Sequence, residues 1–318
     1  IVEMFGAARA WGRARATCAF DTTRRLASAA ATTSPLGRAP VKVALAMSAG
    51  CAALAMWRED EVCCAASKPV DKGTLRGKVA LVTGATGSIG SAVARDLAMQ
   101  GCSIAVVDLN ESKCEEVASG LPTKSIGLAI DVSSEESVKA GYARIANELG
   151  AVDILVNVAG ILSNNKVFET TAEEWRRVHA INYDSCFYLS KACIPHMKEQ
   201  GWGRVVNLTS WAWKSGGLTA GTAYSASKGA LVGLTFSLAR QFAGDGVTVN
   251  GVAPCYVMSP MIMEQLTAEK RAELLEMIPV HRFCTPDEVA HAVVFLCSPL
   301  SGFITGEIID MNGGFQMD

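Results

Sequence analysis

A short β-branched run, Val79–Thr83, leads directly into Gly84-Ala85-Thr86-Gly87-Ser88-Ile89-Gly90, and small and apolar residues at helical spacing follow over Ser91–Met99. Strand, glycine turn and helix in that order restrict the chain strongly. Glycine lets the backbone turn tightly and approach a pyrophosphate, and the helix start presents unpaired N–H groups to the anion. The pattern therefore predicts a dinucleotide turn in which Gly84, Thr86, Gly87, Ser88, Ile89 and Gly90 meet the cofactor.

From residue 71 onward, short apolar runs alternate with longer stretches of helical period, as βα units around a parallel sheet do. Strands are expected at Val79–Thr83, Ser103–Asp108, Gly127–Asp131, Ile154–Asn157, Val205–Leu208, Val247–Val252 and Glu307–Asp310. No repeat or linker interrupts 71–318. The expected fold is α/β: one domain with a Rossmann-like, doubly wound, parallel seven-stranded sheet, preceded by an N-terminal extension.

Eighteen residues past Gly90, the second strand ends at Asp108. A carboxylate there can accept from both ribose hydroxyls and would repel a 2′-phosphate. No Arg or Lys stands at Thr86, Leu109 or Asn110 to offset that repulsion, so NAD is expected rather than NADP. The plainer alternative makes Asp108 an ordinary strand-end turn residue. Asp131 and Val132, ending the third strand, are expected at the adenine.

The chemistry is expected from Tyr224 and Lys228, which share a helix face at i and i+4, with Ser210 fourteen residues before the tyrosine. A phenol with a reference pKa of about 10 is a poor base near neutrality, but a nearby ammonium favours the phenolate. Ser210, ending a central strand, can donate to the substrate oxygen on which charge develops.

These residues, with Asn157-Val158-Ala159-Gly160, Pro254, Ile304-Thr305-Gly306 and Asn312-Gly313-Gly314 in order, resemble the classical short-chain dehydrogenases/reductases over all of 71–318. The resemblance implies that Tyr224 is the acid/base, Ser210 orients the carbonyl, Lys228 holds the nicotinamide ribose and tunes Tyr224, and Asn182 positions a relay water. It also implies cofactor contacts at Leu109, Asn157, Ala159, Gly160, Pro254, Val257 and Ser259. Three positions depart from the pattern: Gly87-Ser88 replaces x-Gly, Asn157-Val158 replaces Asn-Asn, and Cys255 follows Pro254 where glycine is usual.

In such proteins the substrate faces the segments after the serine and after Pro254. Here those hold Trp211, Trp213, Tyr256, Met258, Met261 and Met263, large apolar residues that suit an apolar or acyl substrate. The chain is similar to 3-oxoacyl carrier-protein reductases and their secondary-alcohol dehydrogenase relatives. The expected reaction is NAD(P)-dependent interconversion of a secondary alcohol and a ketone, with 3-hydroxyacyl/3-oxoacyl groups as candidates. The alternative is a non-catalytic, NAD-binding subunit of a mitochondrial assembly. Gly201 and Asp245 stand where carrier-protein reductases place arginines, which argues against carrier docking, although Lys198 and Arg204 lie nearby. Apolar residues on several faces of Ala172–Glu199 and Tyr224–Ala243 predict a homotetramer or at least a dimer.

The ends differ in charge: residues 1–58 carry eight basic groups against two acids, whereas 71–318 carry 20 against 26. A body with acidic excess has no electrostatic footprint for nucleic acid. Arg, Ala, Ser and Thr dominate residues 4–40, the composition of an organellar leader over 1–70. Mitochondrion is expected, with plastid as the alternative. The apolar run 43–57 is shorter than the roughly 20 residues of a membrane span, so membrane contact is expected only through an uncleaved leader. Eleven cysteines, an odd number without a CxxC pair, make neither a disulfide framework nor a zinc site. No metal is expected, and Cys102, Cys186, Cys193 and Cys297 are expected as buried thiols.

Overall fold

A computed structural model describes residues 75–259 and 266–317. The leader expected over 1–70, its apolar run 43–57, and Met261 and Met263 lie outside the described residues.

Strands β1 (Val79–Thr83), β2 (Ser103–Asp108), β3 (Ser125–Ala129), β4 (Ile154–Asn157), β5 (Gly203–Leu208), β6 (Val247–Pro254) and β7 (Ile308–Met311) form one sheet in the order β3-β2-β1-β4-β5-β6-β7. Every pairing is parallel; Ala80, for example, lies between Ile104 and Ile154. This is the expected doubly wound, Rossmann-like sheet. β3 starts and ends two residues earlier than expected because Asp131 turns the chain, its Oδ1 accepting from Ser133 N and Oγ.

The helices are α1 (Ser88–Met99), α2 (Glu111–Ser119), α3 (Glu135–Glu148), α4 (Ala172–His179), α5 (Ser185–Gln200), α6 (Ala212–Ser215), α7 (Thr222–Phe242), α8 (Ala268–Met277) and α9 (Pro286–Cys297). Successive strand residues point to opposite faces, so each strand feeds two cores. Ala80, Val82, Ile104 and Val106 pack with Val93 and Leu97 of α1 and Val293 and Leu296 of α9. Leu81, Val107 and Leu155 pack with Ile145 of α3, Leu189 and Met197 of α5 and Leu238 of α7. Burying each such leucine or valine stabilises by about 1.5–3 kcal/mol. The apolar β-branched runs therefore become central strands covered on both sides.

The long helix expected over 172–199 is not continuous. A π turn, Ala180–Asp184, separates α4 from α5 and contains Asn182. Such widened turns concentrate at functional sites, and the 3.6-residue pattern alone does not announce them. The four cysteines expected as buried thiols are free and buried. Burial pushes the Cys102 thiol up to about 12, which keeps it protonated and inert. Among the described residues no helix is long and apolar enough to cross a membrane.

Strand order reverses between β1 and β4, so connections leave the sheet in opposite directions and open a crevice at the carboxyl ends of these strands.

Candidate active site

That crevice is a cavity of about 680 Å³, lined by the turn after β1, by Asp108 and Leu109, by Asp131 and Val132, and by Ala159 and Gly160 after β4. Ser210, Trp211, Tyr224, Lys228, Pro254, Tyr256, Val257 and Ser259 complete the wall.

The turn is built at van der Waals limits. Gly84 has φ 61°, and a Cβ there would lie 2.9 Å from Ala159 Cα; a Cβ at Gly90 would lie 2.2 Å from the Gly84 carbonyl oxygen. Gly87 precedes α1 and offers no side chain to cap it, so the first N–H groups of the helix have no side-chain acceptor. Thr86 N and Oγ1 both donate to Asp108 Oδ2, and Leu109 N donates to Oδ1 at 2.8 Å. A backbone cradle, an uncapped helix start and a strand-end carboxylate fit a nicotinamide dinucleotide: anion at the turn, ribose at Asp108.

Thr83 was not singled out by the sequence, yet it sets the neighbouring loop. Its Oγ1 accepts from Val158 N and Ala159 N, both at 3.1 Å, and fastens the end of β4 to β1. A hydroxyl at the last position of the first strand was the available signal.

Lys228 is 3% exposed, and its Nζ donates to the Leu208 carbonyl at 2.7 Å. Burial lowers its pKa to about 8. Burial raises the Tyr224 phenol above its ordinary value, while the hydrogen bond with Ser210 pulls the other way. Lys228 Nζ stands 5.7 Å from the Tyr224 ring centroid, so a change of charge at either group is felt by the other. The arrangement can hold and move a proton beside an apolar wall.

Asn182 is fully buried, and its side chain does not line the cavity. Its Oδ1 accepts from Ile161 N at 2.8 Å, and its Nδ2 donates to Ile161 O at 3.0 Å and to Ser227 Oγ at 3.1 Å. These bonds lock the loop after β4 against the helix of Tyr224 and Lys228. A Cβ on Gly160 would come 3.2 Å from Asn182 Oδ1 and 3.6 Å from Lys228 Nζ, so the backbone passes tightly there.

Three expected contacts point elsewhere. Asn157 is buried and donates to Asn207 Oδ1 at 2.8 Å, and Asn207 donates to Thr235 Oγ1 on α7 at 2.9 Å, so Asn157 ties the sheet to a helix and does not line the cavity. Trp213 does not line the cavity; two positions along a helical turn of 3.6 residues, it diverges widely from Trp211. Trp211 does line it, donating from its indole nitrogen to Gln316 Oε1 at 2.8 Å and packing edge-on against Phe315. Met258 is 47% exposed, because alternation in an extended segment turns it outward between Val257 and Ser259.

The cavity also takes residues that the sequence reading passed over. Arg177 and Ile181, spaced i and i+4 before Asn182, line it, as do Leu218 and Thr219 from the loop before α7. Of the cations near Gly201 and Asp245, Lys198 pairs with Asp245 at 3.3 Å on the surface, and Arg204 is 3% exposed over the ring of Trp202.

A family model described as enoyl-(acyl carrier protein) reductase matches residues 84–316. The 3-oxoacyl-(acyl-carrier-protein) reductase of Vibrio cholerae is 41% identical over 244 residues, covering 76% of this chain and 99% of its own length. The enzyme of the same name from Escherichia coli is 37% identical over 242 residues, covering 76% of this chain and 98% of its own. Nodulation protein G of Azospirillum brasilense is 38% identical over 246 residues, covering 75% and 98%. With the sheet order, the glycine turn and the Ser210, Tyr224 and Lys228 constellation, these matches establish that the chain belongs to the short-chain dehydrogenase/reductase family of oxidoreductases.

Proposed function

We propose that the chain interconverts a secondary alcohol and a ketone on an acyl substrate, a 3-hydroxyacyl/3-oxoacyl pair, and that it prefers NAD to NADP. The observation that carries this reading is the continuity of one cavity from the glycine turn and Asp108 to Ser210, Tyr224 and Lys228. Trp211, Leu218, Tyr256 and Val257 give that cavity an apolar wall suited to an acyl chain. The names of the relatives from Vibrio cholerae and Escherichia coli favour the same substrate class.

The nicotinamide, when bound, exchanges the hydride. The glycine turn and the α1 start hold its diphosphate, and Asp108 holds the ribose. Ser210 Oγ donates to the substrate oxygen, and the Tyr224 phenol, held protonated by burial, gives it a proton in the reductive direction. Lys228 answers the charge left on the phenol, and its own lowered pKa lets it pass a proton near neutrality. Asn182 keeps the loop after β4 and the α7 face in register.

Asp108 supports the NAD preference, since its carboxylate would repel a 2′-phosphate. Exposed Phe187 on α5 and Phe236 on α7 support pairing of these helices with a second copy, as a dimer or homotetramer. The Arg-rich composition of residues 4–40 supports an organellar address, mitochondrial before plastid. A reporter fused to 4–70 tests that address, and cytosolic retention would contradict it.

The direct test is nicotinamide absorbance after the purified chain meets a 3-oxoacyl thioester and NADH. Consumption supports the proposal. Tight NADH binding without turnover of any 3-oxoacyl, steroid or polyol ketone would favour the non-catalytic subunit instead.

A further inference from the structure

Between Ser210 and Tyr224 the chain forms a loop over 216–221 that contributes Gly217, Leu218, Thr219 and Ala220 to the cavity wall. Gly216 and Gly217 take φ 69° and 82°, a turn that glycine makes easily but whose fixing on folding costs conformational entropy. Something outside the loop must therefore hold its shape.

The next helix, α7, starts without a capping side chain. Its first N–H groups are taken by a different segment: Gly221 N donates to Ser163 O at 2.6 Å, and Thr222 N donates to Asn165 O at 3.0 Å. Glycine is required there, because a Cβ on Gly221 would lie 2.4 Å from Asn165 O. The segment is itself anchored to α4, whose Glu174 carboxylate accepts from Ser163 Oγ and Asn165 Nδ2. Those bonds hold the Glu174 carboxyl below its ordinary pKa.

The following residue, Lys166, reaches back over the loop. Its Nζ donates to the Gly217 carbonyl at 2.9 Å and to the Ala220 carbonyl at 2.6 Å. One ammonium thus joins the two ends of the stretch that carries Leu218 and Thr219. Thr219 Oγ1 in turn lies 3.1 Å from the Tyr256 hydroxyl on the neighbouring wall. Lys166 does not itself line the cavity.

We propose that Lys166 is a positioning residue for substrate specificity, a two-carbonyl clamp that fixes the loop over 216–221 as one wall of the substrate site. Its kinetic consequence rests on the alcohol–ketone reading; its effect on the loop rests on geometry alone. Loss of the clamp frees Leu218 and Thr219, weakening the grip on the substrate, while the glycine turn and the Tyr224–Lys228 pair stay in place. Arginine keeps the charge and donors on a longer stem and restores part of the function.

The test compares Lys166→Met and Lys166→Arg with the unmodified chain in two measurements. The first is backbone hydrogen exchange over 216–221, without substrate. The second is steady-state kinetics with a 3-oxoacyl thioester, alongside the dissociation constant for NADH. Lys166→Met should exchange faster in the loop and raise KM by a few-fold, up to about tenfold, because exposure of Lys166 limits how strongly its two loop bonds hold the wall. Its kcat and NADH affinity should stay near those of the unmodified chain, and Lys166→Arg should recover part of both losses. Unchanged exchange in Lys166→Met would overturn the clamp, and faster exchange with unchanged KM would overturn its role in specificity. Absence of turnover in the unmodified chain would overturn the reading of function, and loop exchange would then decide the clamp by itself.

Discussion

Thr86 Oγ1 donates to Asp108 Oδ2 at 2.6 Å, so the carboxylate that ends β2 is fastened to the glycine turn that opens α1. On the proposed reading, ribose recognition and phosphate recognition are mechanically joined in one short stretch of backbone and one side chain.

Removing the carboxylate tests both halves of that link. Asp108→Ala should weaken NAD and relieve repulsion of NADP, narrowing the ratio of the two dissociation constants by about tenfold. Thr86→Val, which keeps the carboxylate, should weaken both cofactors without changing their ratio. Fluorescence titration with NADH and NADPH measures each constant.

The buried ammonium should cost stability. Lys228 loses its proton near pH 8 in the folded chain against 10.5 ordinarily, so between those values the unfolded chain binds more protons and stability rises with pH. Below pH 8 the burial penalty is carried in full. Lys228→Met should therefore raise Tm at neutral pH by a few degrees, less the unpaired Leu208 carbonyl it leaves, while turnover collapses. The gain in Tm should shrink as pH approaches the ordinary lysine value, which calorimetry across pH will show.

Reaction direction should divide on the same group. Alcohol oxidation needs the site to accept a proton, so its rate should rise as pH increases through about 8, and ketone reduction should fall over the same range. Initial rates in both directions at fixed ionic strength check this, and parallel pH profiles would contradict it.

Much of this was legible in the sequence. The β-branched runs stood out because strands covered on both faces must be apolar throughout, and the glycines stood out because the turn at Gly84 and Gly90 leaves no room for a Cβ. Tyr224 and Lys228 could be read because i, i+4 spacing puts them on one helix face, whereas Ser210, two residues past the end of β5, was found through the family resemblance. The place of Asn157 off the cavity wall was not legible, because its strand register aims it at Asn207, and register follows from pairing partners far along the chain. The π turn at Asn182 and the clamp from Lys166 to Gly217 and Ala220 were hidden for the same cause. The bonds of Asn182 to Ile161 and Ser227, and of Lys166 to Gly217 and Ala220, join segments that no local period relates.

The most direct test of the central claim, that Tyr224 carries the proton within an otherwise complete dinucleotide site, is Tyr224→Phe measured for both turnover and cofactor binding. The account predicts a fall in kcat of roughly 10²–10⁴-fold with a 3-oxoacyl thioester, the range expected for loss of a positioned acid. It also predicts an NADH dissociation constant close to that of the unmodified chain, because only one hydroxyl is removed. Retained turnover in Tyr224→Phe, with the cofactor bound as before, would contradict the assignment.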